Sequence, residues 1–117
     1  MAHGDITHVE IPVRDVASAT AFFGELFGWQ IAEDPAYPGY PMWQAPNGVS
    51  GGALVPRDSE NEQPVAYVEV DSIESVLAAA TARGGRVVKE RSPVDDRSWW
   101  AVLADPDGNL IGLFESA

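Results

Sequence analysis

The chain has 117 residues, no cysteine and a net charge of −11, and its length is typical of one globular domain. The lack of cysteine excludes a disulfide framework and a thiolate metal site, and it favours a cytoplasmic protein. The acidic charge argues against binding to nucleic acid or to an anionic membrane surface. No apolar run is long enough to span a bilayer, and residues 1–5 show no secretory signal.

The first half of the sequence predicts one helix among four strands. Val9, Ile11 and Val13 alternate with polar residues, which indicates a strand with two distinct faces. Asp15 can cap the helix that follows, and Gly28 ends it. The predicted elements are a strand over Thr7 to Val13, a helix over Val16 to Phe27, and strands over Trp29 to Ala32, Tyr40 to Gln44 and Gly51 to Val55.

The second half repeats this order at an offset of about 57 residues, a periodicity that indicates duplicated structural units. Asp71 or Ser72 can cap its helix, and Gly84-Gly85 can end it. Turns at Pro46-Asn47-Gly48 and Pro106-Asp107-Gly108 suit tight hairpins. The predicted elements are a strand over Pro64 to Val70, a helix over Ile73 to Arg83, and strands over Arg86 to Lys89, Trp99 to Ala104 and Leu110 to Glu115.

These elements predict an α+β fold made of two βαβββ modules. Module one covers about 5–55, a polar linker covers 56–64, and module two covers about 65–117, all within a single domain over 1–117. Four strands alone cannot cover their hydrophobic face, so we expect the modules to form a curved mixed sheet with a cleft and with helices on the outer face.

Three stretches of the chain resemble the vicinal oxygen chelate superfamily, which includes glyoxalase, bleomycin-resistance and dioxygenase-like proteins. They are Ile6 to Asp15, Ala21 to Trp29, and the terminal hairpin Asp105-Pro106-Asp107-Gly108-Asn109. The resemblance implies a homodimer. It also implies that enzymes of this type hold a divalent metal in the cleft, which chelates two adjacent substrate oxygens as a Lewis acid.

The resemblance places metal ligands at four positions, of which only His8 carries a ligand in this chain. The other three positions fall at Gly52, Val65 and Gly112, which cannot bind a metal through a side chain. A shifted site using His8 and Glu10 is an alternative, because residues i and i+2 share a strand face. The other alternative is that His8 is an ordinary hydrogen-bonded histidine.

The remaining predicted ligand-binding residues are aromatic, acidic or small. Aromatic faces near carboxylates attract flat or cationic organic molecules, and the glycine leaves room where enzymes carry metal ligands. The aromatic residues could equally be core residues, and the carboxylates could be exposed strand residues or partners of Arg14 and Arg86. The predicted ligand-binding set is His8, Glu10, Trp43, Tyr67, Glu69, Trp99 and Gly112.

The sequence therefore predicts a small-molecule-binding protein of the glyoxalase/bleomycin-resistance type that needs no metal and no other cofactor. Its ligand would be cationic or aromatic. One alternative is a divalent-metal-dependent lyase, isomerase or dioxygenase of the same superfamily. Another is a non-catalytic interaction module, because a fold alone does not determine function.

Overall fold

A computed structural model describes residues 2–117 as two compact units. One unit comprises residues 8–64, and the second, here called the C-terminal unit, comprises residues 65–117 together with the residues up to Thr7. The elements are β1 (Ile6–Val13), α1 (Val16–Phe27), β2 (Gln30–Ala32), β3 (Met42–Gln44), β4 (Gly51–Pro56), β5 (Val65–Glu69), α2 (Ile73–Ala82), β6 (Arg86–Pro93), β7 (Ser98–Ala104) and β8 (Leu110–Ser116).

In the 8–64 unit, the strands lie in the order β2-β3-β4-β1. The β1 and β4 strands run parallel, and the other neighbouring pairs are antiparallel. Helix α1 begins after Asp15, whose carboxylate accepts hydrogen bonds from the Ala17 amide at 3.1 Å and the Ser18 hydroxyl at 2.7 Å. It ends at Gly28, whose φ of 71° is the left-handed conformation that favours glycine.

The C-terminal unit repeats this arrangement with the strand order β5-β8-β7-β6. The β5 and β8 strands are parallel, and the two later pairs are antiparallel. Ser72 caps α2 by accepting a hydrogen bond from the Ser75 amide at 3.2 Å. The α2 helix packs on the sheet through a buried cluster of Val70, Ile73, Leu77, Ala101, Leu103 and Leu113.

The α+β class and the βαβββ order of both halves are confirmed. The α2 helix ends at Ala82 rather than Arg83, because Gly84 adopts a φ of 90° and breaks the helix one residue earlier. Strand β6 continues to Pro93, four residues beyond its predicted end, with register shifts along its pairing with β7. Within residues 2–117, no helix is long and apolar enough to cross a membrane.

The strand registers correct one predicted equivalence between the halves. In the C-terminal unit Tyr67 pairs with Gly112, whereas Glu10, which corresponds to Tyr67 at the 57-residue offset, pairs with Ala53. Gly52 is therefore not the structural counterpart of Gly112. It pairs with Val9 and lies on the opposite face from His8 and Glu10, because a slip of one residue reverses the face of a strand.

Candidate functional site

Three side chains of the 8–64 unit form a continuous hydrogen-bonded chain. The Tyr40 hydroxyl donates to Oε2 of Glu10 at 2.6 Å and lies 2.8 Å from Nε2 of His8. The hydroxyl has a single hydrogen, and it donates this hydrogen in the bond to Glu10. Toward His8 the tyrosine oxygen is therefore the acceptor, and Nε2 of His8 carries the hydrogen of that bond. The contact therefore assigns the His8 tautomer that carries its hydrogen on Nε2.

Strand geometry and one loop bring these groups together. His8 and Glu10 share a face of β1, because side chains alternate along a strand. Tyr40 arrives from the loop between β2 and β3, where Glu33 accepts the Gly39 amide at 2.6 Å. The Tyr40 ring lies nearly parallel to the His8 ring, with 6.1 Å between the ring centroids. Tyr40 is absent from the predicted set, because 30 residues separate it from Glu10 and only the folded loop brings them together.

The surroundings of His8 favour its neutral form. Burial lowers the pKa of His8, since a charged imidazolium loses hydration there, and the neighbouring Glu10 carboxylate opposes this shift in part. With Nε2 protonated and bonded to Tyr40, Nδ1 carries the lone pair of the neutral ring. The imidazole is therefore a hydrogen-bond acceptor at this nitrogen.

Beside His8 lies an open depression of about 510 Å³ in the same unit. Its charged side chains are the carboxylates of Glu33 and Asp34, and neither Lys nor Arg is among its lining residues. Such a surface attracts cations and hydrogen-bond donors. The lining residues are His8, Ala32, Glu33, Asp34, Pro35, Met42, Trp43, Gln44 and Gly52.

Trp43 borders the depression, and its side chain is fixed by a hydrogen bond and by a ring contact. Its indole Nε1 donates to the Val9 carbonyl at 3.1 Å, and its ring stacks on Trp29 with centroids 3.8 Å apart. Gly52 is needed beneath it, because a Cβ there would collide with the Val9 carbonyl and lie 2.7 Å from Trp43 Nε1. Trp43 is only 7% exposed and serves mainly as a packed wall.

In the C-terminal unit, an aromatic ring covers the position at which the resemblance places a last-strand ligand. The Tyr67 ring is buried and lies directly over Gly112, where a Cβ would come within 2.6 Å of Tyr67 Cγ. Glu69 shares the face of Tyr67 and accepts a 3.4 Å hydrogen bond from Ser116. Val65 contributes no metal-binding group.

Trp99, a predicted ligand-binding residue, lies on the face of β7 that packs beneath α2. Trp99 pairs with Glu115 and packs against the buried cluster beneath α2, where the Arg91 guanidinium lies 4.1 Å from its ring centroid. Glu115 pairs with Arg91 at 2.9 Å and accepts the Ile73 amide at the start of α2 at 2.8 Å. Trp100 lies on the opposite face with Gly112 and Tyr67, since neighbouring residues of a strand alternate.

The residues present do not fit a catalytic divalent metal. Such sites normally use about three protein ligands, and residues 2–117 contain no group of three or more His, Asp or Glu side chains arranged to hold an ion. His8 and Glu10, the donors of the predicted shifted site, both bond to the Tyr40 hydroxyl.

Comparison with known proteins identifies the family. A model of the glyoxalase-like domain matches residues 8–114. "Putative glyoxylase CFP32" from Mycobacterium tuberculosis is 25% identical over 115 residues, which cover 92% of this chain and 44% of that protein. The chain thus spans less than half the length of this relative.

Two solved structures show the same fold at low sequence identity. Methylmalonyl-CoA epimerase from Mycobacterium tuberculosis has a TM-score of 0.69 at 21% identity, covering 97% of this chain and 88% of that one. The Mn(II)-bound glyoxalase from Novosphingobium aromaticivorans has a TM-score of 0.67 at 18% identity, covering 97% of this chain and 39% of that one. The chain belongs to the glyoxalase-like domain family, which confirms its resemblance to the vicinal oxygen chelate superfamily.

Proposed function

We propose that this protein is a metal-independent binding protein for a small, flat, cationic organic molecule. The observation that carries the proposal is the His8–Tyr40–Glu10 chain beside an acidic depression. The Tyr40 hydroxyl forms hydrogen bonds with Nε2 of His8 and Oε2 of Glu10, two atoms that would otherwise be candidate metal ligands. The charged groups that line the depression are then the carboxylates of Glu33 and Asp34.

The chemistry of the depression selects the ligand class. Glu33 and Asp34 supply negative charge, and the lowered pKa of His8 favours its neutral form, which does not repel a cation. Met42 supplies apolar surface for a flat body, and Trp43, only 7% exposed, adds no more than the edge of its ring. An amidinium or ammonium group on an aromatic ring combines these properties.

Binding is tested by titrating benzamidine, a flat cation, and benzamide, its neutral analogue, while tryptophan fluorescence is recorded. We expect benzamidine to bind more tightly than benzamide. Glu33→Gln and Asp34→Asn keep the hydrogen-bond acceptors that order the loop but remove the charges. Each should weaken benzamidine binding about 2- to 5-fold, the effect of an exposed ion pair.

Glu25→Gln on α1 is the matched control, because it removes one carboxylate outside the depression. It should leave the affinity for benzamidine unchanged. Equal affinities for the cation and the neutral analogue, or equal losses in all three variants, would refute the cationic ligand class.

A divalent-metal-dependent enzyme is the second candidate, favoured by the position of His8 and by the fold shared with the Mn(II)-bound glyoxalase. It predicts about one tightly bound ion per chain after purification without chelator, lost in His8→Ala. The proposed binding protein predicts no stoichiometric metal by elemental analysis. It also predicts no affinity tighter than about the millimolar range for Mn(II), Ni(II), Zn(II) or Fe(II).

A further inference from the structure

Helix α1 carries an apolar face that the 8–64 unit leaves largely uncovered. None of its residues is buried. Phe22 is 57% exposed, Leu26 is 58% exposed and Phe27 is 53% exposed. Scattered exposed apolar residues are ordinary, but a contiguous apolar patch marks an interaction surface.

These residues form one continuous face. At about 100° per residue, the large apolar side chains of α1, from Val16 to Phe27, fall within an arc of about 140°. Phe23 lies near the middle of this arc and touches both flanks, with ring centroids 5.5 Å from Phe22 and 6.3 Å from Phe27. Phe23 also stacks on Trp29, with 5.1 Å between the ring centroids, and Trp29 in turn stacks on the buried Trp43.

Charge points to a second copy of this chain as the occupant. The chain carries 18 acidic and 7 basic residues, so two copies repel each other over most of their surfaces. The α1 helix has a single charged residue, Glu25, which lies about 130° from the centre of the apolar arc. Two copies can therefore meet at this face without opposing carboxylates. A basic partner would gain no ion pair there.

The exposed area is also sufficient. The exposed fractions of Val16, Phe22, Leu26 and Phe27 correspond to roughly 400 Å² of apolar surface per copy, taking about 150–250 Å² for a whole Phe side chain. A stable interface buries about 800 Å² per partner, of which roughly 60% is apolar. The face thus provides most of the apolar centre of such an interface.

We propose that α1 is the contact surface of a homodimer, in which two copies of the helix pack through Phe22, Leu26 and Phe27. The family resemblance implies a dimer but names no surface, and this proposal does not depend on the proposed ligand. Because the driving force is apolar and the charges oppose association, added salt strengthens the dimer.

The test is sedimentation velocity of the full chain at several concentrations. We expect a mass of about twice 12.5 kDa, with a dimer fraction that rises between ~0.05 and ~0.5 M NaCl. Phe22→Asp and Leu26→Asp should each raise the dissociation constant at least ~10-fold, since a carboxylate would be buried in an apolar contact. Both positions are more than half exposed, so circular dichroism should show a folded monomer.

Val94→Asp is the matched control, because it places the same charge on an exposed apolar residue of the C-terminal unit. It should dimerise like the wild type. A wild-type monomer at all concentrations overturns the proposal, and flotation of that monomer with zwitterionic vesicles would assign the face to a bilayer. A dimer that resists both α1 variants, or one that dissociates as salt rises, also overturns it.

Discussion

At the scale of single residues, Tyr40 determines what His8 and Glu10 can do. One hydroxyl donates to the carboxylate and accepts from the imidazole, so neither group stands alone. The imidazole is held in one tautomer, in surroundings that lower its pKa. The three side chains therefore form one hydrogen-bonded unit, in which Tyr40 holds His8 and Glu10 in place.

The lowered pKa of His8 predicts a pH-dependent stability. Below the pKa of an unfolded histidine, the unfolded chain binds a proton that the folded chain resists, so the free energy of unfolding falls as pH decreases. This contribution is fully present above about pH 6.5 and is lost as pH falls toward the folded pKa. Urea unfolding of the wild type between about pH 7.5 and 5.5 should show this decline.

His8→Gln should flatten that pH dependence, because glutamine keeps a donor for Tyr40 but does not titrate. The control is His3→Gln, at the other histidine of the chain, whose side chain is 52% exposed. Comparison of the two variants separates the contribution of His8 from that of the other histidine. A His8→Gln protein that still loses stability as steeply as the wild type would show that another group titrates.

At the scale of strands, two glycines lie where an added Cβ would collide with neighbouring atoms, those of the Val9 carbonyl and Trp43 at Gly52 and those of the Tyr67 ring at Gly112. Trp43 lies over Gly52 in one unit, and Tyr67 lies over Gly112 in the other. The two glycines do not occupy equivalent faces of their units. Gly52 pairs with Val9, whereas Gly112 pairs with Tyr67, the counterpart of Glu10 on the other face of β1. Both aromatic residues are 7% exposed, so neither can move aside without opening the interior.

Gly112→Ala should therefore lower the free energy of unfolding by about 1–3 kcal/mol, the usual effect of overpacking. The measurement is the urea midpoint at constant m-value. In a Tyr67→Ala background the same substitution should be nearly neutral, because the ring that it meets is gone. Equal effects in the two backgrounds would exclude the contact as the cause.

Gly24→Ala provides the control for glycine substitution in general. Gly24 lies inside α1, where an added Cβ meets only the Trp29 carbonyl oxygen at an ordinary 3.6 Å. Alanine should therefore stabilise the protein by about 0.5–1 kcal/mol through its higher helix propensity.

At the scale of the whole molecule, the net charge of −11 destabilises the folded state through self-repulsion. We expect the Tm of the monomeric Leu26→Asp variant to rise by a few degrees between ~0.02 and ~0.15 M NaCl, the range over which screening changes most. Using a monomer removes the contribution of dimer formation. A constant Tm over this range would show that the carboxylates are spaced too widely to repel one another.

The fold could be predicted from the sequence because local signals agree along the chain. Asp15 and Gly28 bound α1 as predicted, and the turns around Asn47 and Asp107 separate the predicted strands. The candidate site was harder to predict from the sequence than the fold. The partnership of Tyr40 with His8 depends on a folded loop, and Trp99 and Trp100 could not be assigned to faces without the register of β7.

The covered glycine of β8 also limits how this chain could change during evolution. A single nucleotide substitution can turn a glycine codon into one for glutamate, the residue that the resemblance implies at position 112 in metal-dependent relatives. Here the new side chain would meet the buried ring of Tyr67, so this substitution alone would lower the stability of the fold. A glutamate at position 112 would be tolerated only after Tyr67 had been replaced by a smaller residue, and that change opens a cavity of its own. The close packing of β5 on β8 thus sets the order in which positions 67 and 112 can change.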